Sequence, residues 1–212
     1  MFGNRPMPDF RERDLSMAVD LRALLNELAA FGRRNDAAST DRAKKMLNIT
    51  PNTGEFLELM VKATRARRIL EIGTSNGYST IWLAKAARAT GGRVTTLEKA
   101  AHKVAMATEN FRRAGGTDLI DLRHTDAGAF LRAEADPFDM IFLDSERHEY
   151  VGWWGRLAAL IAPGGLLIAD NATSHATEMA EFMALVRRST GFITSLVPIG
   201  NGEFLAYKER RV

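Results

Sequence analysis

The segment 68–84, RILEIGTSNGYSTIWLA, sets a glycine-containing loop between a short apolar run and an apolar helical stretch. Ile69, Leu70 and Ile72 suit a strand covered on both faces, and Gly73 and Gly77 let the backbone turn tightly and come close to a ligand. From Gly77 onward the spacing becomes helical through Tyr78, Ile81 and Trp82, with no breaker before Gly91 and Gly92. The free N–H groups of that helix N-terminus therefore face the loop, and a nucleotide-like ligand fits such a junction. The next strand is expected over 94–97, with Glu98 at its end. An acid about 20 residues beyond the loop can accept hydrogen bonds from both hydroxyls of a ribose. Its alternative role is a solvated carboxylate opening the following helix. The spacing Gly73-x-x-x-Gly77 lacks the third glycine of G-x-G-x-x-G, which weighs against a nicotinamide dinucleotide and leaves room for another adenosine cofactor.

A chain of 212 residues, 46% hydrophobic, has enough apolar material for one α/β domain with a full core, here taken as 1–212. The absence of Cys excludes disulfides and thiolate metal sites. Arg5, Arg11 and Arg13 are not followed by an apolar segment, and no stretch is long enough to span a bilayer. A soluble cytoplasmic protein with no membrane partner is the expectation. A net charge of +3 and a pI near 9.4 make the chain mildly basic, but its Lys and Arg residues are mixed with acids, which does not favour nucleic acid as a partner.

The first 65 residues read as helical: 9–31 with Leu15, Val19, Leu21, Leu24, Leu25 and Leu28 on its apolar positions and Gly32 ending it, then 40–47, then 52–64. This part is expected to form a lid or partner surface over a core at 66–212. Strands are expected at 119–123, 138–143, 166–169, 192–197 and 204–207, with helices between the earlier ones. Such alternation implies a mostly parallel sheet with helices on both faces, while the last two strands, joined through 198–202, form an antiparallel hairpin.

Two further strand ends carry chemistry, in PFDMIFLDSERHEY and PGGLLIADNATSH. Asp144 follows one apolar run, and Asp170 and Asn171 follow the next. An open parallel sheet puts its ligands beyond the carboxyl ends of its strands, so the three oxygen-bearing side chains are expected to converge. Hard divalent cations want such a set, Mg²⁺ preferring an octahedron of oxygens at about 2.1 Å, with Ca²⁺ or Mn²⁺ as alternatives. Taken singly, each residue has a plainer role as a helix N-cap or loop acid.

Together, ILEIGTSNGYST, Glu98, FLDSERHEY and IADN resemble the catechol and caffeoyl-CoA type O-methyltransferases. The resemblance runs from about residue 49 to the closing FLAYK. It implies a Rossmann-like seven-stranded sheet with an antiparallel last strand, S-adenosylmethionine as cofactor, methyl transfer to an aromatic hydroxyl, usually a divalent metal, and frequent homodimers. By the same resemblance Glu71, Gly73 and Ser79 stand around the methionine part of the cofactor, and Thr74, Ser75, Gly77 and Tyr78 complete that loop. Glu98 with Lys99 matches the ribose position, Asp126 with Ala127 the adenine side, and Asp144, Asp170 and Asn171 the metal ligands, Asp144 also bordering the cofactor.

The family commonly carries a lysine three residues after the first metal aspartate, where this chain has Arg147. Arginine stays protonated and cannot take a proton from the acceptor hydroxyl, although it can stabilise an oxyanion. His175 is the candidate base, because a neutral imidazole works near pH 7; its plainer role, shared with His148, is that of a surface histidine. Tyr150, Trp153 and Trp154 suit either the wall of an aromatic pocket or the packing of a helix onto the sheet. Rival functions are methylation of a hydroxylated tRNA base, a cofactor-binding protein without catalysis, and a nicotinamide-dependent oxidoreductase.

Overall fold

A computed structural model describes residues 10–210, with side chains described from Leu21 onward. Residues 1–9 and 211–212 of the expected domain, and the side chains of Leu15 and Val19, lie outside the described residues. In chain order the elements are α1 (Phe10–Ala38), α2 (Pro51–Thr64), β1 (Arg68–Ile72), α3 (Tyr78–Thr90), β2 (Arg93–Glu98), α4 (Ala101–Arg113) and β3 (Ile120–His124). They continue as α5 (Ala127–Ala133), β4 (Phe138–Leu143), α6 (Tyr150–Leu160), β5 (Ile161–Ala169), α7 (Ala176–Arg187), β6 (Phe192–Val197) and β7 (Glu203–Lys208).

The seven strands form one sheet in the order β3-β2-β1-β4-β5-β7-β6. Pairs from β3 through β5 are parallel, and β7 runs antiparallel to both its neighbours. The expected α/β class, Rossmann-like sheet and reversed last strand are therefore all present. The central strands are apolar on both sides. Ile69, Met140, Phe142, Leu166 and Ile168 pack into one core with α1, α2 and α3. Leu70, Ile72, Ile141, Leu143, Leu167 and Ala169 pack into the other, with α6 and α7. Period-two alternation between two covered faces explains why these strands read as unbroken apolar runs. Each fully buried Leu, Ile or Phe among them stabilises the fold by about 1.5–3 kcal/mol.

Two expectations for the N-terminal part are corrected. Gly32 does not end the first helix, which continues to Ala38. A Cβ at Gly32 would lie 2.5 Å from the Asn48 amide nitrogen, so this glycine serves a close approach of the following loop rather than a helix stop. The helix expected at 40–47 is only a 3₁₀ turn, Arg42–Lys44, with Asp41 capping it. The Asp36 carboxylate accepts from the N–H groups of Met46 at 2.6 Å and Leu47 at 2.8 Å, and Leu47 has φ 51°. Those amides cannot also serve an α-helical ladder, so the chain crosses toward α2 as an ordered loop. Helix α2 then starts where Thr50 Oγ1 accepts from the Thr53 N–H at 3.1 Å and Pro51 fixes the first turn. No described helix is long and apolar enough to cross a membrane.

Candidate functional site

Strand β1 ends at the place where the sheet order turns from β2 on one side to β4 on the other, and there the chain must leave the sheet beside Asp144. Gly73 has φ 110°, and a Cβ on it would stand 2.0 Å from the Asp144 carbonyl oxygen. Only glycine lets the two strand ends approach this closely. A cavity of about 730 Å³ opens above them, across the carboxyl ends of β1, β2, β4 and β5.

Of the expected cofactor residues, Gly73, Thr74, Ser75, Tyr78, Ser79, Glu98, Lys99, Asp126, Ala127 and Asp144 line this cavity. Glu98 accepts from the Ser75 N–H and the Ala100 N–H, each at 2.9 Å, so its carboxylate is aimed before any ligand arrives. Asp126 caps α5 by accepting from the Ala129 N–H at 2.8 Å. Thr74 shares a 2.6 Å hydroxyl contact with Thr96 beneath the loop.

Glu71 and Gly77 are placed differently from expectation, and neither lines the cavity. Glu71 is fully buried under the loop, where its Oε2 accepts from the hydroxyls of Thr80 and Thr96 while Oε1 has no hydrogen-bond partner among the described residues. Burial pushes its carboxyl up to about 7, against the pull of the Ser79, Thr80 and Thr96 hydroxyls. Gly77 instead caps α3 with φ 86°, and a Cβ there would meet the Phe111 ring at 2.4 Å.

At the β4 and β5 ends the cavity holds Asp144, Asp170 and Asn171 together. Asn171 Nδ2 donates to Asp170 Oδ2 at 2.9 Å and to Asp144 Oδ1 at 3.4 Å, and the Asn171 N–H donates to Asp170 Oδ1 at 2.7 Å. Burial raises the Asp144 carboxyl well above the usual range, and the charges of Asp170 and Glu71 raise it further. Burial likewise raises Asp170. Among the described residues no three His, Cys, Asp or Glu side chains gather as a cation site, so the expected metal set consists of two carboxylates and one amide. This set still fits a hard cation: its donors are oxygens, burial keeps both carboxylates raised even with the charge of Arg147 acting on them, and the Asn171 amide presents oxygen when turned over. Asn171 has φ 67°, a left-handed conformation that Asn tolerates better than most residues.

Arg147 and His175 also reach the cavity. Arg147 Nε donates to Glu178 Oε2 at 2.8 Å. His175 precedes α7, its Nδ1 lying 2.9 Å from Ser174 Oγ. His148 has a well-exposed side chain beside Glu146 and Glu149. Tyr150 and Trp154 are core residues: the Tyr150 hydroxyl accepts from the Ser145 N–H at 2.7 Å, and Trp154 Nε1 donates to Ser189 Oγ at 2.8 Å. Trp153 lines the cavity, close to Gly128 and Asp126, so only one of the three aromatics belongs to the wall.

Several lining residues fall outside the expected set. Met46, Leu47, Asn48 and Ile49 border the cavity, and Ser75 Oγ donates to the Met46 carbonyl at 2.7 Å, joining the cofactor loop to the N-terminal part. Glu203, at the start of β7, is fully buried behind Asp170 and accepts from Thr53 Oγ1 at 3.0 Å. Burial, then the charge of Asp170, pushes its carboxyl up to about 9. A Glu opening a strand among apolar residues was the available signal for this position.

A sheet reversed at its last strand, with a pocket above the point where the strand order changes sides, defines a Rossmann-like protein built for a nucleotide-type ligand. The chain belongs to the O-methyltransferase family, whose model matches residues 16–208. It is 40% identical over 129 residues to a catechol O-methyltransferase of Niastella koreensis, covering 59% of this chain and 58% of that protein. It is 36% identical over 172 residues to a catechol O-methyltransferase of Mycobacterium tuberculosis, covering 79% of this chain and 73% of that protein. Among solved structures, the O-methyltransferase from Bacillus cereus in complex with SAH superposes with a TM-score of 0.74 at 27% identity, covering 91% of this chain and 97% of that chain.

Proposed function

We propose that this protein is an S-adenosylmethionine-dependent O-methyltransferase acting on the hydroxyl of a small aromatic acceptor. The observation that carries the reading is the convergence of Asp144, Asp170 and Asn171 in the same cavity as the Gly73 loop and Glu98. In this reading Glu98 accepts from the ribose hydroxyls, Asp126 and Ala127 border the adenine, and Gly73, Thr74, Ser75, Tyr78 and Ser79 surround the methionine part. Asp144, Asp170 and Asn171 would hold a divalent cation, Mg²⁺ before Ca²⁺ or Mn²⁺, which would supply Lewis acidity at the acceptor hydroxyl.

The reaction is one in-line displacement. The acceptor oxygen forms a bond to the sulfonium methyl carbon, the carbon–sulfur bond breaks, and its electron pair leaves on the sulfur of S-adenosylhomocysteine. In this reading the hydroxyl proton passes to His175, one of the residues lining the cavity. Arg147 brings a guanidinium charge to the cavity rather than a base. The protein's main task is alignment, which supplies about 7 kcal/mol or more of barrier reduction when reacting atoms are held in line. Of the N-terminal part, the stretch 42–49 is the cover of this site, with Ser75 Oγ donating to the Met46 carbonyl.

The test is transfer of labelled methyl from S-adenosylmethionine to catechols and hydroxycinnamoyl thioesters, with Mg²⁺ or with EDTA. Turnover abolished by EDTA supports the whole reading. EDTA-resistant turnover keeps the methyltransferase and removes the cation. Cofactor binding without turnover on any acceptor rejects the small-molecule reading.

A further inference from the structure

Glu203 stands at the back of the Asp170 end of the cavity, and the displacement chemistry does not use it. It is the first residue of β7 and is fully buried. Ala169 of β5 pairs with Phe204 of β7 in antiparallel register, so the next positions, Asp170 and Glu203, lie opposite one another on the same side of the sheet. Like charges directly opposite destabilise a sheet, and two carboxylates sharing a buried site do not both ionise. One of the pair must therefore carry a proton.

The surrounding donors decide which one. Both oxygens of Asp170 are served, Oδ1 by the Asn171 N–H at 2.7 Å and Oδ2 by Asn171 Nδ2 at 2.9 Å. Glu203 accepts only at Oε1, from Thr53 Oγ1 at 3.0 Å, and its Oε2 meets no donor among the described residues. The proton therefore sits on Glu203, and the hydrogen bond between the two carboxyl groups runs from Glu203 to Asp170. The start of β7 is also tightly held. A Cβ on Gly200 would stand 2.1 Å from Thr53 Oγ1, and one on Gly202 would stand 2.3 Å from Thr173 Oγ1. The Ala172 N–H donates to the Gly202 carbonyl at 2.8 Å, and the Thr173 N–H to the Asn201 carbonyl at 3.1 Å. Glu203 is thus gripped between α2 and the turn that carries Asp170 and Asn171.

We propose that Glu203 is a positioning residue of the cation site: clamped by Thr53, it donates to Asp170 from behind and sets the direction in which the Asp170 carboxylate would meet a divalent ion. This rests on the cation part of the proposed function and adds a residue that touches neither the ion nor the acceptor. An apolar side chain would suit a buried strand start at lower cost, so the acid here trades stability for control of Asp170.

The experiment measures Mn²⁺ binding by electron paramagnetic resonance, without turnover, for the wild type, Glu203→Leu, Glu203→Gln and Thr53→Val. Glu203→Leu is expected to weaken Mn²⁺ binding by about ten- to a hundredfold, the range for losing a hydrogen bond to a metal ligand, while S-adenosylmethionine affinity stays within a few-fold. Glu203→Gln, whose amide can both donate to Asp170 and accept from Thr53, is expected to keep Mn²⁺ affinity within about threefold of the wild type. Thr53→Val, which removes the clamp and leaves the carboxyl pair, is expected to cost about fivefold. Wild-type Mn²⁺ affinity in Glu203→Leu overturns the proposal. So does a Glu203→Gln protein as weak as Glu203→Leu, which would assign the effect to the lost carboxyl rather than to the hydrogen bond. Should Glu203→Leu not fold, wild-type Mn²⁺ affinity in Thr53→Val overturns the proposal by itself. Failure of the cation reading looks different: the wild type binds S-adenosylmethionine and takes up no Mn²⁺, which removes the ion and this role with it.

Discussion

On the Glu98 side of the cavity the carboxylates are met by backbone donors. Glu98 accepts from two N–H groups and Asp126 from one. On the Asp144 side the carboxylates face one another, with a single amide between them, and burial drives Asp144 and Asp170 upward together. The first half is aimed in advance and needs only hydroxyl or amine partners. The second is aimed but only partly compensated, because the charge of Arg147 acts on both carboxylates without outweighing their burial. One pocket therefore combines a stable binding half with a half that holds unfavourable electrostatics in readiness, as sites that do chemistry commonly do.

The largest break in this comparison comes from the point where the two halves touch. Gly73→Ala forces a Cβ into the Asp144 carbonyl at an unfavourable φ, and is expected to cost about 3 kcal/mol of stability and to abolish S-adenosylmethionine binding, read by denaturant melts and calorimetry. Asp170→Ala should separate the halves: methyl transfer falls by about a hundredfold or more, while cofactor affinity measured by calorimetry stays within a few-fold. A matched loss of cofactor affinity would show that the halves are not independent.

A pH experiment sharpens the contrast under the loop. Glu71 has its folded carboxyl at about 7, above the ordinary 4.5, so the folded state binds its proton more tightly than the unfolded chain. Its contribution to stability is complete below about pH 4.5, declines as pH rises to about 7, and is lost above that, an effect of order 3 kcal/mol. Glu71→Gln should accordingly stabilise the protein more at pH 8 than at pH 5 in urea melts; an equal effect at both pH values would refute the assignment. The smallest effect is expected for Glu98→Gln, which keeps the loop hydrogen bonds partly intact and weakens cofactor binding by about tenfold.

The sheet was legible because each central strand is buried on both faces and is followed at once by a residue of the cavity, as with Leu143 and Asp144 or Ala169 and Asp170. Such features are local, and the short apolar run reveals them. The N-terminal part was less legible for long-range reasons. Gly32 sits inside a helix and is glycine because Asn48 packs against it, and 40–47 fails to become a helix because Asp36 captures the amides of Met46 and Leu47. At the site, the positions of Glu98, Asp144, Asp170 and Asn171 follow from strand ends, whereas the burial of Glu71 and Glu203 depends on Thr80, Thr96 and Thr53, which lie on other elements. Trp153 and Trp154 are neighbours in sequence, and helical phase alone sends one to the cavity and the other to the core.

Strand β1 lies between β2 and β4, and the pocket straddles all three. During synthesis the chain acquires the Gly73 loop and Glu98 well before Asp144, Asp170 or Asn171 emerges. A growing chain thus owns the Glu98 end of its pocket while the opposite wall does not yet exist. Retention on an immobilised cofactor analogue therefore reads the Glu98 end, and sorting finished molecules from stalled or truncated ones takes a ligand held at the Asp144 end as well.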